Sequence, residues 1–415
     1  MRASASPNPI AQWRGALQLT RDAFDQITAR IHEFHRAISD KPFSGLEALP
    51  GIGDAGAPVR VLHDGITDGV YGAVRLTGTA ILDAATTILR QVERSFPTAA
   101  AGPHRERDLL IGAVAGVVGD HAAVRRNPLM PRLGFYRDGR RVEPRAAALA
   151  QTYADATPRL AIFVHGLACT EHGWDFYRDP ALPDTAPYSE RLAAELGYTP
   201  VFVRYNTGLH ISGNGRRLAR EIARLVSAWP TPVDDIALIG HSMGGLVIRA
   251  AAAQAQDQGL PWARVVRKVV CLGSPHRGAP LEQAVDRLTG VLARFELSRP
   301  WGRVLEVRSV GIRDLKHGAT SDADWRSATA RRWCEPQPIP RLPHAQYHFI
   351  GSSLGVSAND PLERFLGDGL VRLPSSLATE LADADSAVLF RLNHMRLLNH
   401  PEVYPHIQRA LTCTE

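Results

Sequence analysis

Lysine is nearly missing from this 415-residue chain: Lys41, Lys268 and Lys316 are its whole complement among 48 basic residues. The arginines that stand in its place are scattered, with no basic run longer than pairs such as Arg140-Arg141. A nucleic-acid surface needs clustered positive charge, so the net charge of +6 does not point to a nucleic-acid partner. Cysteine is equally scarce. Cys169, Cys271, Cys334 and Cys413 are too few and too irregularly spaced for a disulfide scaffold or a zinc site. Cys169 and Cys271 lie in strand-like apolar neighbourhoods, where a free thiol packs as a small apolar side chain. Long hydrophobic runs are absent too. The most apolar stretch, Leu109 to Val118, is half of the roughly 20 residues a bilayer-spanning helix needs. The first twenty residues carry Arg2 and Arg14 but no apolar core of a signal peptide, which leads us to expect a soluble, cytoplasmic protein. No phosphate-binding glycine loop, dinucleotide fingerprint or metal-ligand cluster is seen, so no cofactor or metal is expected.

What is present is an ordinary globular balance, 45% hydrophobic and 22% charged. At roughly 100–200 residues per domain the length fits two domains, or one with an extension. Residues 1–150 read as a helical N-terminal extension of unknown role. Phe24, Ile27, Ile31, Phe34 and Ile38 recur at helical spacing, and Asp40-Lys41-Pro42 should end that helix. Its polar face mixes both charge signs, which favours packing against the rest of the chain and leaves peripheral membrane contact open. A second periodic segment spans about Val61 to Val92, and a third helix about Arg107 to His121, with Gly112 and Gly116 on one face for close packing. Pro128 to Pro144, with the turn signal Asp138-Gly139, reads as a connector or hairpin.

From 158 to 415 short apolar runs alternate with helical stretches. Candidate strands are 160–164, 200–205, 236–239, 265–272, 346–350 and 387–392; candidate helices are 188–196, 215–229, 246–256 and 399–411. Continuous apolar runs such as Leu160 to Val164 are buried on both faces, and this alternation implies an α/β fold with a mostly parallel central sheet and flanking helices. The excursion 279–342 carries Leu281, Val285, Leu288, Val291, Leu292 and Phe295 at helical spacing, as a lid or as ordinary packing.

The chemistry centres on Gly240-His241-Ser242-Met243-Gly244, a G-x-S-x-G sequence between a buried strand and a helix. That setting is the one a nucleophile elbow requires: small residues two before and two after the serine allow a sharp, strained turn. A serine hydroxyl is a poor nucleophile unless a base takes its proton. Downstream, His394 follows the last candidate strand and is favoured over His276, His400 and His406. Asp368, in the tight turn Gly367-Asp368-Gly369, is the candidate partner of the imidazole; Asp360, Glu363, Asp383 and Asp385 compete for that role. Two backbone N–H groups should face the developing oxyanion. Met243, after the nucleophile, supplies one, and Leu167, in the loop after the first strand, is the candidate for the other. His165 reads as structural, packing beneath that loop.

Phe163-Val-His-Gly-Leu167, Gly240-His-Ser-Met-Gly-Gly245, Leu272-Gly-Ser-Pro-His-Arg-Gly278 and Gly367-Asp-Gly-Leu-Val371 resemble, in order, the signatures of the α/β-hydrolase superfamily in its lipase and esterase branch. The closing Asn393-His-Met-Arg-Leu-Leu398 and Pro401-Glu-Val-Tyr404 are similar to the end of GPI inositol-deacylase-like and bacterial lipase-like hydrolases. The resemblance covers about 158–415. It implies a cofactor-independent serine hydrolase of carboxylic esters, acting on ester or lipid substrates, with Ser242, Asp368 and His394 as triad. Acyl transfer, thioester or amide hydrolysis would use the same groups, and a non-catalytic scaffold is the alternative from another class.

Overall fold

The computed structural model describes residues 9–47, scattered positions between 60 and 87, and then 105–179, 181–278, 309–326, 339–360, 363, 367–378 and 384–412. Eight strands form one sheet: β1 Gly134–Arg137, β2 Arg140–Val142, β3 Arg159–Val164, β4 Thr199–Arg204, β5 Asp235–His241, β6 Val266–Leu272, β7 Gln346–Ser353 and β8 Asp385–Phe390. Their order is β2-β1-β4-β3-β5-β6-β7-β8, with β3 to β8 mutually parallel and the β1–β2 hairpin antiparallel on one edge. The six apolar runs read from the sequence are the six parallel strands.

Strand periodicity explains the layers. Leu160, Ile162 and Val164 of β3 face one core with Ile236 and Leu238 of β5, while Ala161, Phe163, Ala237 and Ile239 face the other. Helices α4 Ile211–Ser227 and α5 Met243–Asp257 cover the first face, and α3 Tyr188–Leu196 and α6 Tyr404–Thr412 the second. Each face of the sheet is therefore dry, which is why its strands need no polar alternation.

The chain runs from β3 outward to β4 on one side and returns to β5 on the other. At such a reversal the loops leaving neighbouring strands diverge and open a crevice at the carboxyl edge. The loop after β3 and the turn after β5 flank that crevice.

Two differences from the sequence reading concern the N-terminal part. The sheet takes in the hairpin at 134–142, so it begins ahead of 158. Asp138 and Gly139 have φ of 50° and 72°, the left-handed pair a two-residue hairpin turn demands. Helix α1 spans Pro9–Glu47 and passes through Pro42 instead of stopping before it; proline there forgoes one helical hydrogen bond, a cost of about 3 kcal/mol that does not by itself end a helix. Helix α2, Arg105–Val124, packs closely through its glycines, as expected, on the loops after β3 and β4. A Cβ on Gly116 would stand 2.9 Å from that of Ala168, and one on Gly112 would stand 2.7 Å from the Cys169 carbonyl. Asn206 Nδ2 donates to the Gly119 carbonyl (2.9 Å) and Ser309 Oγ to that of Gly116 (2.7 Å).

Within 279–342, residues 309–326 and 339–342 are described, including the helices Val310–His317 and Asp322–Arg326. The six apolar positions expected on a lid helix lie outside the described residues. No helix among the described residues is long and apolar enough to cross a membrane.

Candidate active site

Strand β5 delivers Ser242 to the crevice, and α5 begins at the next residue. Ser242 has φ 54° and ψ −123°, a conformation L-residues avoid and one held here by surrounding backbone. Its N–H donates to the Leu272 carbonyl of β6 (2.8 Å), and its own carbonyl accepts from Gly245 N (3.1 Å). The flanking glycines are dictated by contact. A Cβ on Gly244 would lie 2.1 Å from the Val164 carbonyl oxygen, and one on Gly240 would lie 2.6 Å from the Gly244 carbonyl carbon. No other residue fits either position without moving the strand or the helix.

His394 follows β8 and opens the short 3-10 helix His394–Leu398, capped by the Asn393 side chain accepting from Arg396 N (3.1 Å). Its Nδ1 donates to Asp368 Oδ2 at 2.7 Å, and both side chains are buried. A carboxylate accepts only, so Nδ1 carries the proton and Nε2 keeps its lone pair. Asp368 is itself tightly held. Its Oδ1 accepts from Leu370 N (3.0 Å) and Val371 N (2.8 Å), and the Ser352 hydroxyl approaches Oδ2 at 3.4 Å. The turn around it needs glycine: Gly367 has φ 58°, and a Cβ there would meet the Val371 carbonyl oxygen at 2.0 Å.

The Ser242 backbone and the His394 ring both come close to Gly273. Ser242 N bonds the carbonyl of the residue before it, and a Cβ on Gly273 would stand 3.1 Å from His394 Cε1. Ser242 Oγ and His394 Nε2 are not hydrogen-bonded to each other here. Catalytic hydrogen bonds are commonly long in the resting enzyme and tighten when substrate binds. Neither the Leu167 nor the Met243 N–H donates to an acceptor among the described residues, and Met243 opens α5, whose N-terminal N–H groups favour negative charge.

A profile described as the PGAP1-like alpha/beta domain matches residues 216–335. A triacylglycerol lipase of Burkholderia plantarii is 31% identical over 147 residues, which are 34% of this chain and 36% of the lipase. These matches make parts of the chain similar to a PGAP1-like alpha/beta domain and to a lipase. The second match spans about a third of that curated relative's length. Among solved structures, the lin2722 gene product of Listeria innocua is 15% identical, with a TM-score of 0.38, over 62% of this chain and 95% of that one. A lipase-esterase related protein of Clostridium acetobutylicum is 15% identical, with a TM-score of 0.35, over 61% and 95%.

The residues that competed for the acid and base roles are engaged elsewhere. Glu363 accepts from Leu373 N (2.8 Å), Asp360 from Val356 N (2.9 Å), and Asp385 pairs with His348 (3.2 Å); Asp383 lies outside the described residues. His276 Nδ1 accepts from Arg249 (2.8 Å), and burial holds its pKa well below the ordinary value. His400 Nδ1 accepts from Glu402 N (3.3 Å), and His406 lies within α6. His165 stacks on Tyr205 with ring centres 4.6 Å apart, its carbonyl accepts the Tyr205 hydroxyl (2.8 Å), and burial lowers its pKa to about 4. Burial raises the thiols of Cys169 and Cys271 to about 11 and about 12, so both stay protonated.

Two features escaped the sequence reading. Asp108, Glu171 and His172 offer ligand atoms within 4.8 Å of one another, the type of grouping that can hold a metal ion. Arg204 occupies it instead, bonding Asp108 Oδ2 (2.8 Å) and both oxygens of Glu171, so this buried knot ties α2 to the end of β4. Both carboxylates are already hydrogen-bonded by one guanidinium, which fits a structural role and not a cation site. A cavity of about 920 Å³ opens between the β1–β2 turn and Glu171–Asp175, lined by Arg137, Tyr153, His172 and Glu190; Ser242, Asp368 and His394 do not border it.

Proposed function

We propose that this α/β-hydrolase cleaves carboxylic esters of acyl or lipid type through an acyl-enzyme intermediate. The observation that carries the reading is the buried Nδ1–H bond from His394 to Asp368, 2.7 Å long, beside a serine held at φ 54°. That bond leaves Nε2 as the only basic nitrogen of His394. Ser242 Oγ attacks the ester carbonyl carbon while its proton passes to Nε2. The carbonyl π pair moves onto oxygen, where the Leu167 and Met243 N–H groups and the α5 N-terminus offset the charge. The intermediate collapses as the imidazolium protonates the departing alkoxide, leaving an acyl-Ser242 ester. Water, deprotonated by Nε2, then attacks the acyl carbon and returns Ser242 with release of the acid. Asp368 stays ionised throughout and stabilises the imidazolium.

The test is hydrolysis of an ester series of increasing acyl length by the parent and by Ser242→Ala. The reading expects turnover in the parent and a loss of at least about 1,000-fold in the variant. Turnover that survives in Ser242→Ala would overturn it.

A further inference from the structure

The chemistry above employs Ser242 and leaves unexplained why a histidine precedes it. His241 is only 2% exposed, and a buried imidazole must find partners or destabilise the fold. Its Nε2 lies 3.1 Å from the backbone carbonyl of His394, a contact across 153 residues of sequence. A carbonyl only accepts, so Nε2 bears the proton, and Nδ1 is a lone pair with no hydrogen-bond partner. Burial holds the pKa of His241 well below the ordinary value, consistent with that single neutral tautomer.

The ring is wedged among the parts of the crevice. Its centre is 4.8 Å from that of His394, and it meets Trp174 edge-on at 6.4 Å. On its other side Gly166 comes so close that a Cβ there would stand 3.0 Å from both His241 Nδ1 and Ser242 Cβ. His394 is thereby held at three points. Its N–H donates to the Asp368 carbonyl (3.0 Å), its Nδ1–H to the Asp368 carboxylate, and its carbonyl accepts from His241. The first two contacts tie the base to the acid. Only the third ties it to the strand that carries the nucleophile. Among the described residues the other buried histidines make no such contact: His165 lies on Tyr205, His276 against Arg249 and His348 beside Asp385.

We propose that His241 is a positioning residue whose Nε2–H, bonded to the His394 carbonyl, sets the placement of the general base relative to Ser242. This rests on reading Ser242 and His394 as nucleophile and base. Because His241 is joined covalently to Ser242, a displacement of the elbow carries the base with it. Loss of the bond frees the His394 loop by a fraction of an ångström to an ångström, which in a preorganised site costs up to about 100-fold in rate.

The test compares His241→Gln with His241→Met in the full chain. The two side chains have nearly the same length and volume, but only glutamine offers an N–H near the position of Nε2. His241→Met is expected to lose about 10- to 100-fold in kcat on a soluble short-chain ester with KM within about threefold of the parent. His241→Gln should keep at least about a third of the parental kcat, and the rate of fluorophosphonate labelling of Ser242 should follow kcat in both. Should His241→Met fail to fold, His241→Phe, which keeps a ring against Trp174, carries the same contrast with His241→Gln. Equal kcat in the donor-bearing and donor-free variants, whether parental or reduced, would overturn the inference while the parent remains active. A parent with no Ser242-dependent turnover would overturn the functional reading and this inference with it.

Discussion

Replacing Asp368 with asparagine changes one atom and, on the geometry of the site, disables the base. In the parent, Oδ1 accepts two backbone N–H groups, from Leu370 and Val371, and Oδ2 accepts the proton of His394 Nδ1. Asparagine has one oxygen and one NH2 group. The two backbone donors claim the oxygen, since an NH2 turned toward them would meet donors only. The NH2 then faces His394 Nδ1, which must become an acceptor. The imidazole proton moves to Nε2, the nitrogen that should receive the Ser242 proton, and Nε2 can no longer act as base. A tautomer exchange of this kind lowers kcat by about 10⁴, or about 5.5 kcal/mol of transition-state stabilisation, with little change in KM. The assay is kcat and KM on a short-chain ester, with thermal unfolding measured alongside to show that Asp368→Asn is folded. A folded variant within tenfold of the parental kcat would refute the reasoning and move the acid role away from Asp368.

Gly244→Ala places a Cβ 2.1 Å from the Val164 carbonyl oxygen, so overpacking should cost about 3 kcal/mol of stability by denaturant titration; an unchanged midpoint would contradict the contact. Arg204→Met leaves the buried Glu171 carboxylate without its arginine and Asp108 with Arg107 as its remaining arginine, with an expected loss of about 3–5 kcal/mol in the same assay. Stability should also depend on pH. Burial keeps His165, with a pKa of about 4, and His241 and His276 neutral in the fold. The unfolded chain binds those protons as pH falls through about 6.5, so it is favoured progressively between pH 6.5 and 4. His165 alone accounts for about 3 kcal/mol across that window at about 1.4 kcal/mol per pH unit, and urea midpoints that stay flat from about pH 7 to about pH 4.5 would contradict the burial.

The parallel sheet was legible because strands buried on both faces are written as continuous apolar runs, Leu160 to Val164 being the clearest. The edge hairpin was less so. Gly-Phe-Tyr-Arg and the edge strand Arg-Arg-Val are short and arginine-bearing, and only the Asp138-Gly139 turn announced the hairpin. Pro42 was given too much weight as a helix stop. The Asp368–His394 pairing could be reached from loop position and chain order, because His394 closely follows β8 and Asp368 lies in a glycine-flanked turn between β7 and β8. The Asp108–Glu171–Arg204 knot and the His241–His394 contact could not. Both join residues tens to more than a hundred positions apart, and nothing in local periodicity or turn chemistry encodes such a meeting.

The central claim is that Ser242 is an activated nucleophile. Mass spectrometry of the folded protein after brief exposure to a fluorophosphonate tests it at the atom concerned. The account predicts a single phosphonyl adduct on the peptide carrying Ser242, formed slowly in Asp368→Asn and absent from Ser242→Ala. An unlabelled parent protein, or an adduct that persists in Ser242→Ala, would contradict it.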